Sequence, residues 1–151
     1  MMIDEARKNF NKNLINIGTL FTHKGRLDKA IEEFTTVIES EPDNINAYYG
    51  RGFAYFKKRF YELAADDYRK VVEIDPGCSK AYLVRGMLAT LHGGDFDEGM
   101  AELDQAAELD PDDAHIYYKR GLAYAKQGDA ERAISDFTRT VDIEVDFAED
   151  R

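Results

Sequence analysis

One eight-residue pattern recurs along the chain and constrains its fold more than any other feature. Its clear copies begin with Tyr48, Tyr82 and Tyr117, and a degenerate copy begins with Leu14. A glycine occupies the fifth position of each copy, and these glycines are 34, 34 and 35 residues apart: Gly18, Gly52, Gly86 and Gly121. Apolar residues recur at helical spacing around them. A period of this length indicates an array of helix pairs, which bury their core between neighbouring repeats.

Turn residues divide each repeat into two predicted helices. Gly25 is expected to adopt the left-handed conformation that ends a first helix. Proline cannot continue a helix, so three prolines are expected to end second helices: Pro42, Pro76 and Pro111. The third pair is one residue longer than the others, and we place the extra residue at Gly93-Gly94. The predicted repeats cover 11–44, 45–78, 79–113 and 114–147, after an N-terminal extension over 1–10 that continues the first helix and before a tail over 148–151.

The pattern resembles the tetratricopeptide repeat (TPR) family over residues 11–147. The family form places an aromatic residue, Gly and Tyr in the first helix, then Ala, an aromatic residue and Pro. The second copy matches it with Tyr48, Gly52, Tyr55, Ala64, Tyr68 and Pro76. The resemblance implies an all-α fold, a right-handed superhelical α-solenoid of antiparallel helix pairs. The chain departs from the family form at Arg51, Arg85, Arg120, Gly99 and Val145.

Composition excludes several classes of function. The chain carries 30 acidic and 20 basic residues, a net charge of −10, which argues against nucleic-acid binding. Its apolar runs are far shorter than a membrane span, so we expect no direct membrane binding. Acidic residues near the N-terminus do not fit a signal peptide, and we expect a cytoplasmic location. Cys78 is the single cysteine and cannot form an internal disulfide.

The sequence offers no arrangement typical of an enzyme. The three histidines, His23, His92 and His115, are not at metal-ligand spacing, and no cysteine or acidic cluster accompanies them. Gly93-Gly94 lacks the context of a phosphate-binding loop. We therefore predict a non-enzymatic chain with no catalytic residue, no cofactor and no metal site.

Charge is sorted between the two helices of each repeat. The predicted first helices, taken as 11–24, 45–58, 79–92 and 114–127, contain ten Lys and Arg residues and not one Asp or Glu. Two interpretations stay open. A basic surface would steer an acidic ligand, or opposite charges on paired helices would stabilise their packing.

The three repeat arginines favour the second interpretation for their own positions. Each second helix carries an acid directly before its large core residue. We predict that each acid pairs with the arginine of the following repeat: Glu33 with Arg51, Asp67 with Arg85, and Glu102 with Arg120. Asp136 would then have no arginine partner.

In TPR proteins, ligand contacts come mainly from an exposed stripe of the first helices, which line the concave face. The resemblance implies a groove formed by Lys12, Ile15, Thr19, Asn46, Tyr49, Phe53, Phe56, Lys57, Lys80, Leu83, Met87, Leu91, His115, Tyr118, Leu122 and Lys126, with Thr22, His23, Thr90 and Ala125 beside them. Exposed apolar residues in such a groove mark a binding site, although Phe53 and Leu122 could instead be core between repeats.

The predicted partner is a protein or peptide with an acidic or hydrophobic segment, either a short peptide or an amphipathic helix. One subclass of the family holds a peptide's C-terminal carboxylate with a Lys-Asn-Asn-Lys-Arg set. Of the corresponding positions here, only Lys80 fits, so that mode of binding is not expected.

The alternative function is a self-assembling scaffold. Repeat arrays usually need polar caps at their ends. Residues 145–151, which follow the last predicted helix, are too few for a capping helix. The outer face of that helix should then be apolar, and the chain could form a homo-oligomer through its uncapped terminal helices, at the C-terminal end in particular.

Overall fold

The computed structural model describes residues 2–149, which form eight α-helices and no strand. They are α1 (Met2–His23), α2 (Leu27–Ser40), α3 (Ile45–Lys57), α4 (Tyr61–Ile74), α5 (Ser79–Leu91), α6 (Phe96–Leu109), α7 (Ala114–Gln127) and α8 (Ala130–Glu149). Helices α3, α5 and α7 match the predicted segments 45–58, 79–92 and 114–127 to within one residue, and α2, α4 and α6 each end two residues before a proline. The all-α prediction is therefore confirmed for the described residues.

The two outer helices extend beyond the repeat pattern, and α8 is longer than predicted. Helix α1 begins at Met2 and so includes residues 2–10. Helix α8 runs to Glu149, into residues 145–151, which were predicted to follow the last helix. Val145 stands where earlier repeats have proline, so nothing in the backbone stops the helix there. Residues 148 and 149 of the predicted tail belong to α8, and 150–151 lie outside the described residues.

The chain forms two compact units, the first ending at Pro76 and the second beginning at Gly77. In the first unit α1 packs on α2 and α3 packs on α4, while α2 also packs against α3. In the second unit the corresponding pairs are α5 with α6 and α7 with α8, and α7 also contacts α5 and α6. Consecutive helices within a pair are antiparallel because a short turn joins them.

Glycines allow the helices to approach closely around large side chains. Phe34 of α2 is 1% exposed. A Cβ atom on Gly18 of α1 would lie 2.8 Å from its ring, and one on Gly50 of α3 would lie 2.5 Å away. Both distances are shorter than van der Waals contact, so only glycine fits on either side of Phe34.

The turns inside the pairs share one backbone conformation. Gly25 has φ of 76°, as predicted, and Gly93 and Gly128 have φ of 91° and 86°. The corresponding residue of the second repeat is Arg59, with φ of 67°. A side chain is unfavourable in this region, so the second turn is strained where the other three are not.

The predicted arginine pairing is wrong in its register. Arg51 forms two hydrogen bonds to Asp67, at 2.8 and 2.9 Å, and Arg120 forms two to Asp136, both at 2.8 Å. Arg85 contacts Glu102 at 3.1 Å. Each arginine thus pairs with the acid of its own repeat.

The physical reason is the symmetry of a helical hairpin. Antiparallel helices bring residues at equal distances from the turn to the same level, and Arg51 and Asp67 are each eight residues from Arg59. The acid that has no arginine at its level is Glu33, which stands opposite Ile17, and not Asp136 as predicted. Arginines do reach the preceding helix pair, but at another position. Arg51 donates to Thr35 Oγ1 at 3.2 Å.

The central charge pair of the first unit is largely shielded from water. The side chain of Asp67 is 5% exposed and that of Arg51 is 18% exposed. Burial raises the pKa of Asp67, although Arg51 acts in the opposite direction. In the second unit, burial also raises the pKa of Glu102, whose Oε2 has no hydrogen-bond partner among the described residues.

Candidate functional site

Helices α1 and α3 of the first unit enclose a concavity of about 280 Å³. Its lining is Ile15, Thr19, Thr22, His23, Phe34, Asn46, Tyr49, Gly50 and Phe53. Five of these belong to the predicted groove residues, namely Ile15, Thr19, Asn46, Tyr49 and Phe53. The structure brings these five together on neighbouring helices because α1 and α3 are the first helices of successive repeats.

The concavity is aromatic and largely apolar. Phe34 contributes to the lining although it is almost fully buried. Gly50 has no side chain, and this leaves the ring of Phe34 within reach of the concavity. Tyr49 packs edge-on against Tyr68, with ring centroids 5.3 Å apart, which holds it in place. Phe53 is 36% exposed and therefore offers apolar surface to a ligand.

Positive charge lies beside this surface. Lys57 Nζ lies 5.3 Å from the centroid of the Phe53 ring. Helix α3 contains no Asp or Glu. Helix α1 is not free of acid, because its extension carries Asp4 and Glu5 in the first turn. The charge sorting predicted for the first helices thus holds from Asn11 onward in α1.

None of the sixteen predicted groove residues is fully buried. The exposed ones are Lys12, Thr19, Asn46, Phe53, Lys57, Lys80, His115, Tyr118 and Lys126. The half-buried ones are Ile15, Tyr49, Phe56, Leu83, Met87, Leu91 and Leu122. Lys12, Phe56 and Lys57 do not line the concavity, although Phe56 packs its ring 5.8 Å from that of Tyr61.

Two threonines beside the predicted groove prove to be packing residues. Thr22 and Thr90 are 3% and 1% exposed. Their hydroxyls donate to backbone oxygens one turn earlier, Gly18 O at 2.9 Å and Gly86 O at 2.8 Å. Both side chains are therefore buried and not exposed as predicted, although Thr22 still lines the concavity between α1 and α3.

In the second unit, the predicted residues of α5 and α7 lie on two contacting helices. Leu83, Met87 and Leu91 follow one another along α5 at helical spacing. Tyr118 of α7 is 43% exposed, with its ring 6.0 Å from that of Phe137. Lys126 Nζ donates to Thr90 O at 3.1 Å and so bridges α7 to α5.

Phe34 and Gly50 were missed as site residues by the sequence reasoning. Phe34 matches the core aromatic of the repeat, which gives no sign that part of its ring borders a concavity. A signal did exist for Gly50. The other clear copies carry Val84 and Lys119 at that position, so the glycine opens space in the second repeat alone.

A second apolar surface lies on the outer side of α8. A shallow concavity of about 310 Å³ is lined by Ile134, Phe137, Thr138, Val141 and Asp142. Ile134 and Val141 are 64% and 58% exposed. Helix α2 has Ile31 and Ile38 at the corresponding positions, where both pack against the core of the first unit.

The described residues include no group of three or more His, Cys, Asp or Glu side chains arranged to hold a metal ion. Within the same range, every helix is too short or too polar to cross a membrane.

Comparison with known proteins identifies relatives that align with most of the chain. The chain is 33% identical over 125 residues to tetratricopeptide repeat protein 13 of Homo sapiens, an alignment that covers 79% of this chain and 14% of that protein. It is 27% identical over 123 residues to anaphase-promoting complex subunit 3 of Schizosaccharomyces pombe, covering 81% of this chain and 18% of the relative. The chain thus spans less than a fifth of either relative.

A solved structure confirms the fold at lower sequence identity. The crystal structure of MamA superposes with a TM-score of 0.85 at 22% identity, covering 98% of this chain and 86% of that one. This match supports the TPR solenoid fold and says nothing of activity.

Family models agree with these matches. A TPR repeat model matches residues 18–58 and 91–128, which is more than half of the chain. Two tetratricopeptide repeat models match 45–78 and 114–144. The chain belongs to the tetratricopeptide repeat family.

Proposed function

We propose that this chain is a non-catalytic protein-interaction module that binds an apolar and acidic segment of a partner protein on the α1–α3 face. Proteins of the TPR family are generally interaction scaffolds, and the fold is typically non-catalytic. One relative is, by its name, a subunit of a multiprotein complex. The observation that carries the proposal is the aromatic concavity between α1 and α3, which Gly50 keeps open over Phe34.

The size and chemistry of the concavity favour side chains over a small polar molecule. Its volume is about 280 Å³, enough for one or two large apolar side chains but below the usual range of drug-sized pockets. An amphipathic helix or an extended peptide would insert such anchors and keep its remaining surface outside. Phe53 and Tyr49 would supply most of the contact area, since aromatic residues bury much surface at little entropic cost.

Charge would select among apolar segments. Lys57 lies at the edge of Phe53, and Lys12 is exposed on α1. A carboxylate that flanks the apolar anchor would lie near these ammonium groups. It would meet no repulsion from α3, because that helix contains no Asp or Glu. Exposed charges of this kind add more to association rate and selectivity than to affinity. The exposed residues of α5 and α7, such as Tyr118 and Lys80, would form a second contact surface of the same kind in the second unit.

Peptide selection tests this proposal. A randomised peptide library displayed on phage is selected on the immobilised chain, and enriched peptides are titrated by fluorescence anisotropy. We expect the selected peptides to combine a large apolar anchor with acidic neighbours. Phe53→Glu should weaken their binding by about tenfold or more, because it places a charge where the anchor packs.

Leu63→Glu is the matched control. Leu63 is an exposed apolar residue of α4, 46% exposed and outside the lining of the concavity. The Leu63→Glu chain should bind the selected peptides as tightly as the unmodified chain does. Peptides that bind the Phe53→Glu chain as tightly as the unmodified one would refute the proposal.

A second candidate function, self-assembly through α8, is favoured by the exposure of Ile134 and Val141. In α2 the corresponding side chains pack against the core, so this face of α8 is suited to another helix. A second copy of the chain would be its occupant. If so, Ile134→Glu with Val141→Glu should convert an oligomer to a monomer in analytical ultracentrifugation, whereas an oligomer that survives both changes argues against this candidate.

A further inference from the structure

Helix α1 carries a second apolar stripe besides the one that builds the core. Its buried residues are Asn11, Leu14, Gly18 and Thr22. A different side of the same helix exposes Ile3, Phe10, Ile17 and Leu20, at 84%, 58%, 41% and 51%. Together these four side chains present on the order of 400 Å² of apolar surface, a size at which a patch on a monomer often has a function.

The exposed stripe follows a seven-residue repeat. Ile3, Phe10 and Ile17 are seven residues apart, and so are Ala6, Asn13 and Leu20. The two series alternate at spacings of three and four, which is the pattern that brings two helices together along a continuous line.

Two positions of the stripe show what this side of a first helix does elsewhere in the chain. The positions of Asn13 and Leu20 correspond to Ala47 and Ala54 in α3, which are both fully buried. Small residues there let α3 pack against α2. The larger Leu20 and polar Asn13 of α1 do not suit that close contact.

The preceding turn is also absent from α1. The turn that links one repeat to the next, residues 41–44 ahead of α3, corresponds to residues 7–10, which lie inside α1. The continuous helix therefore does not allow a repeat of the same register to stack on this side. A helix that matches the stripe along its whole length is the better occupant.

We propose that α1 pairs with α1 of a second copy of this chain, antiparallel and about a two-fold axis. In the antiparallel register, Ile3 packs on Leu20 of the second copy, Ala6 on Ile17, and Phe10 beside Asn13. Ala6 faces the larger Ile17 and Asn13 faces the larger Phe10, so the same surface is complementary to itself, as a two-fold interface requires.

Charge favours the antiparallel arrangement. Asp4 and Glu5 occupy the first turn of α1, and His23 ends the helix with Lys24 after it. An antiparallel pair places the acids of one copy beside the basic end of the other and opposes the two helix dipoles. Within each copy Asp4 is also ion-paired to Arg7 at 3.3 Å, so the helix dipoles carry more of this preference than the carboxylates do.

This interface goes beyond the proposed function and does not depend on it. Ile15 and Thr19, which line the concavity, lie on another side of α1 than Phe10 and Ile17. The dimer would therefore carry two accessible concavities, one on each copy. It is also separate from the surface on α8.

Sedimentation equilibrium tests the proposal over roughly two decades of concentration up to about 1 mM. We expect the unmodified chain to dimerise and the double variant Phe10→Glu with Ile17→Glu to be monomeric, with its helical circular dichroism and thermal midpoint retained. Leu63→Glu, the matched control, should dimerise. A monomeric unmodified chain would overturn the proposal. So would a dimer that persists in the Phe10→Glu, Ile17→Glu variant and is lost in the Ile134→Glu, Val141→Glu variant.

Disulfide trapping tests the orientation in a Cys78→Ser background. An equimolar mixture of the Ile3→Cys and Leu20→Cys chains should give a covalent heterodimer on mild oxidation, while each variant alone stays uncrosslinked. Crosslinking of Ile3→Cys with itself would indicate a parallel pair and overturn the antiparallel assignment. Peptide binding measured on the monomeric double variant separates the two proposals, since it should be unchanged there.

Discussion

Replacement of Arg51 by methionine should expose how much the helix pairs depend on their central charge pair. Methionine keeps much of the length of the arginine stem but removes both hydrogen bonds to Asp67, at 2.8 and 2.9 Å. Asp67 is only 5% exposed and cannot recover those bonds from water. A buried carboxylate without its partner costs about 2–3 kcal/mol at neutral pH, which is the expected loss in free energy of unfolding.

The loss should depend on pH. Burial already raises the pKa of Asp67, and removal of Arg51 raises it further because the guanidinium acts to lower it. As the pH falls through the raised pKa, the variant takes up a proton at Asp67 and its deficit relative to the unmodified chain shrinks. The deficit should therefore be largest at pH 7 and smaller toward acid pH.

Urea denaturation followed by circular dichroism measures both effects. The double variant Arg51→Met with Asp67→Leu is the control, since it removes both charges and should lose less than Arg51→Met alone. A double variant whose loss equals the sum of the two single losses would show that the charges do not interact. A deficit of Arg51→Met that stays constant from neutral to acid pH would refute the role given to Asp67.

Three further predictions concern individual residues. Arg59→Gly should raise the free energy of unfolding by about 1 kcal/mol in urea denaturation, because glycine adopts the left-handed conformation without strain. Gly128→Ala at the corresponding turn should lower it. A lower free energy of unfolding for Arg59→Gly would contradict this prediction. Glu102→Asp should lower the free energy of unfolding by about 1–2 kcal/mol, since the shorter side chain no longer reaches Arg85, and an unchanged midpoint would show that the contact is dispensable. The amide side chains of Asn11 and Asn44 lower the pKa of Glu41, so Glu41 contributes stability above its unfolded pKa that is lost as pH falls through the folded one. Glu41→Gln should therefore be closer to the unmodified chain in acid than at neutral pH, and the reverse trend would count against this role.

The sequence predicts the inner helices well because their ends are set by local residues. Pro42 and Pro76 stop a helix wherever they occur, and Gly25 adopts a conformation that few other residues tolerate. The outer ends of α1 and α8 are set by the absence of proline and glycine, and the absence of a stop signal does not say where a helix ends. Residues 2–10 contain neither proline nor glycine, and the extension of α1 through them carries the exposed stripe that the repeat pattern does not include.

The candidate site was predictable only in part. Ile15, Asn46 and Phe53 follow from the position of the first helices in the repeat. The contribution of Gly50 depends on the ring of Phe34 in another helix, a contact that no spacing in the sequence reveals. The arginine pairing failed for a similar reason. Counting three arginines and four acids does not fix the level at which two antiparallel helices meet.

The central claim is that the concavity between α1 and α3 binds partner segments, and amide chemical shifts test it most directly. A uniformly ¹⁵N-labelled chain is titrated with a peptide from the phage selection, and the shift of each backbone amide is followed. We predict that the largest changes occur at Thr19, Asn46, Tyr49 and Phe53, and that in the Phe53→Glu chain they require about tenfold more peptide or more. Changes that fall instead on α2 and α4, with the concavity residues unaffected, would contradict the account.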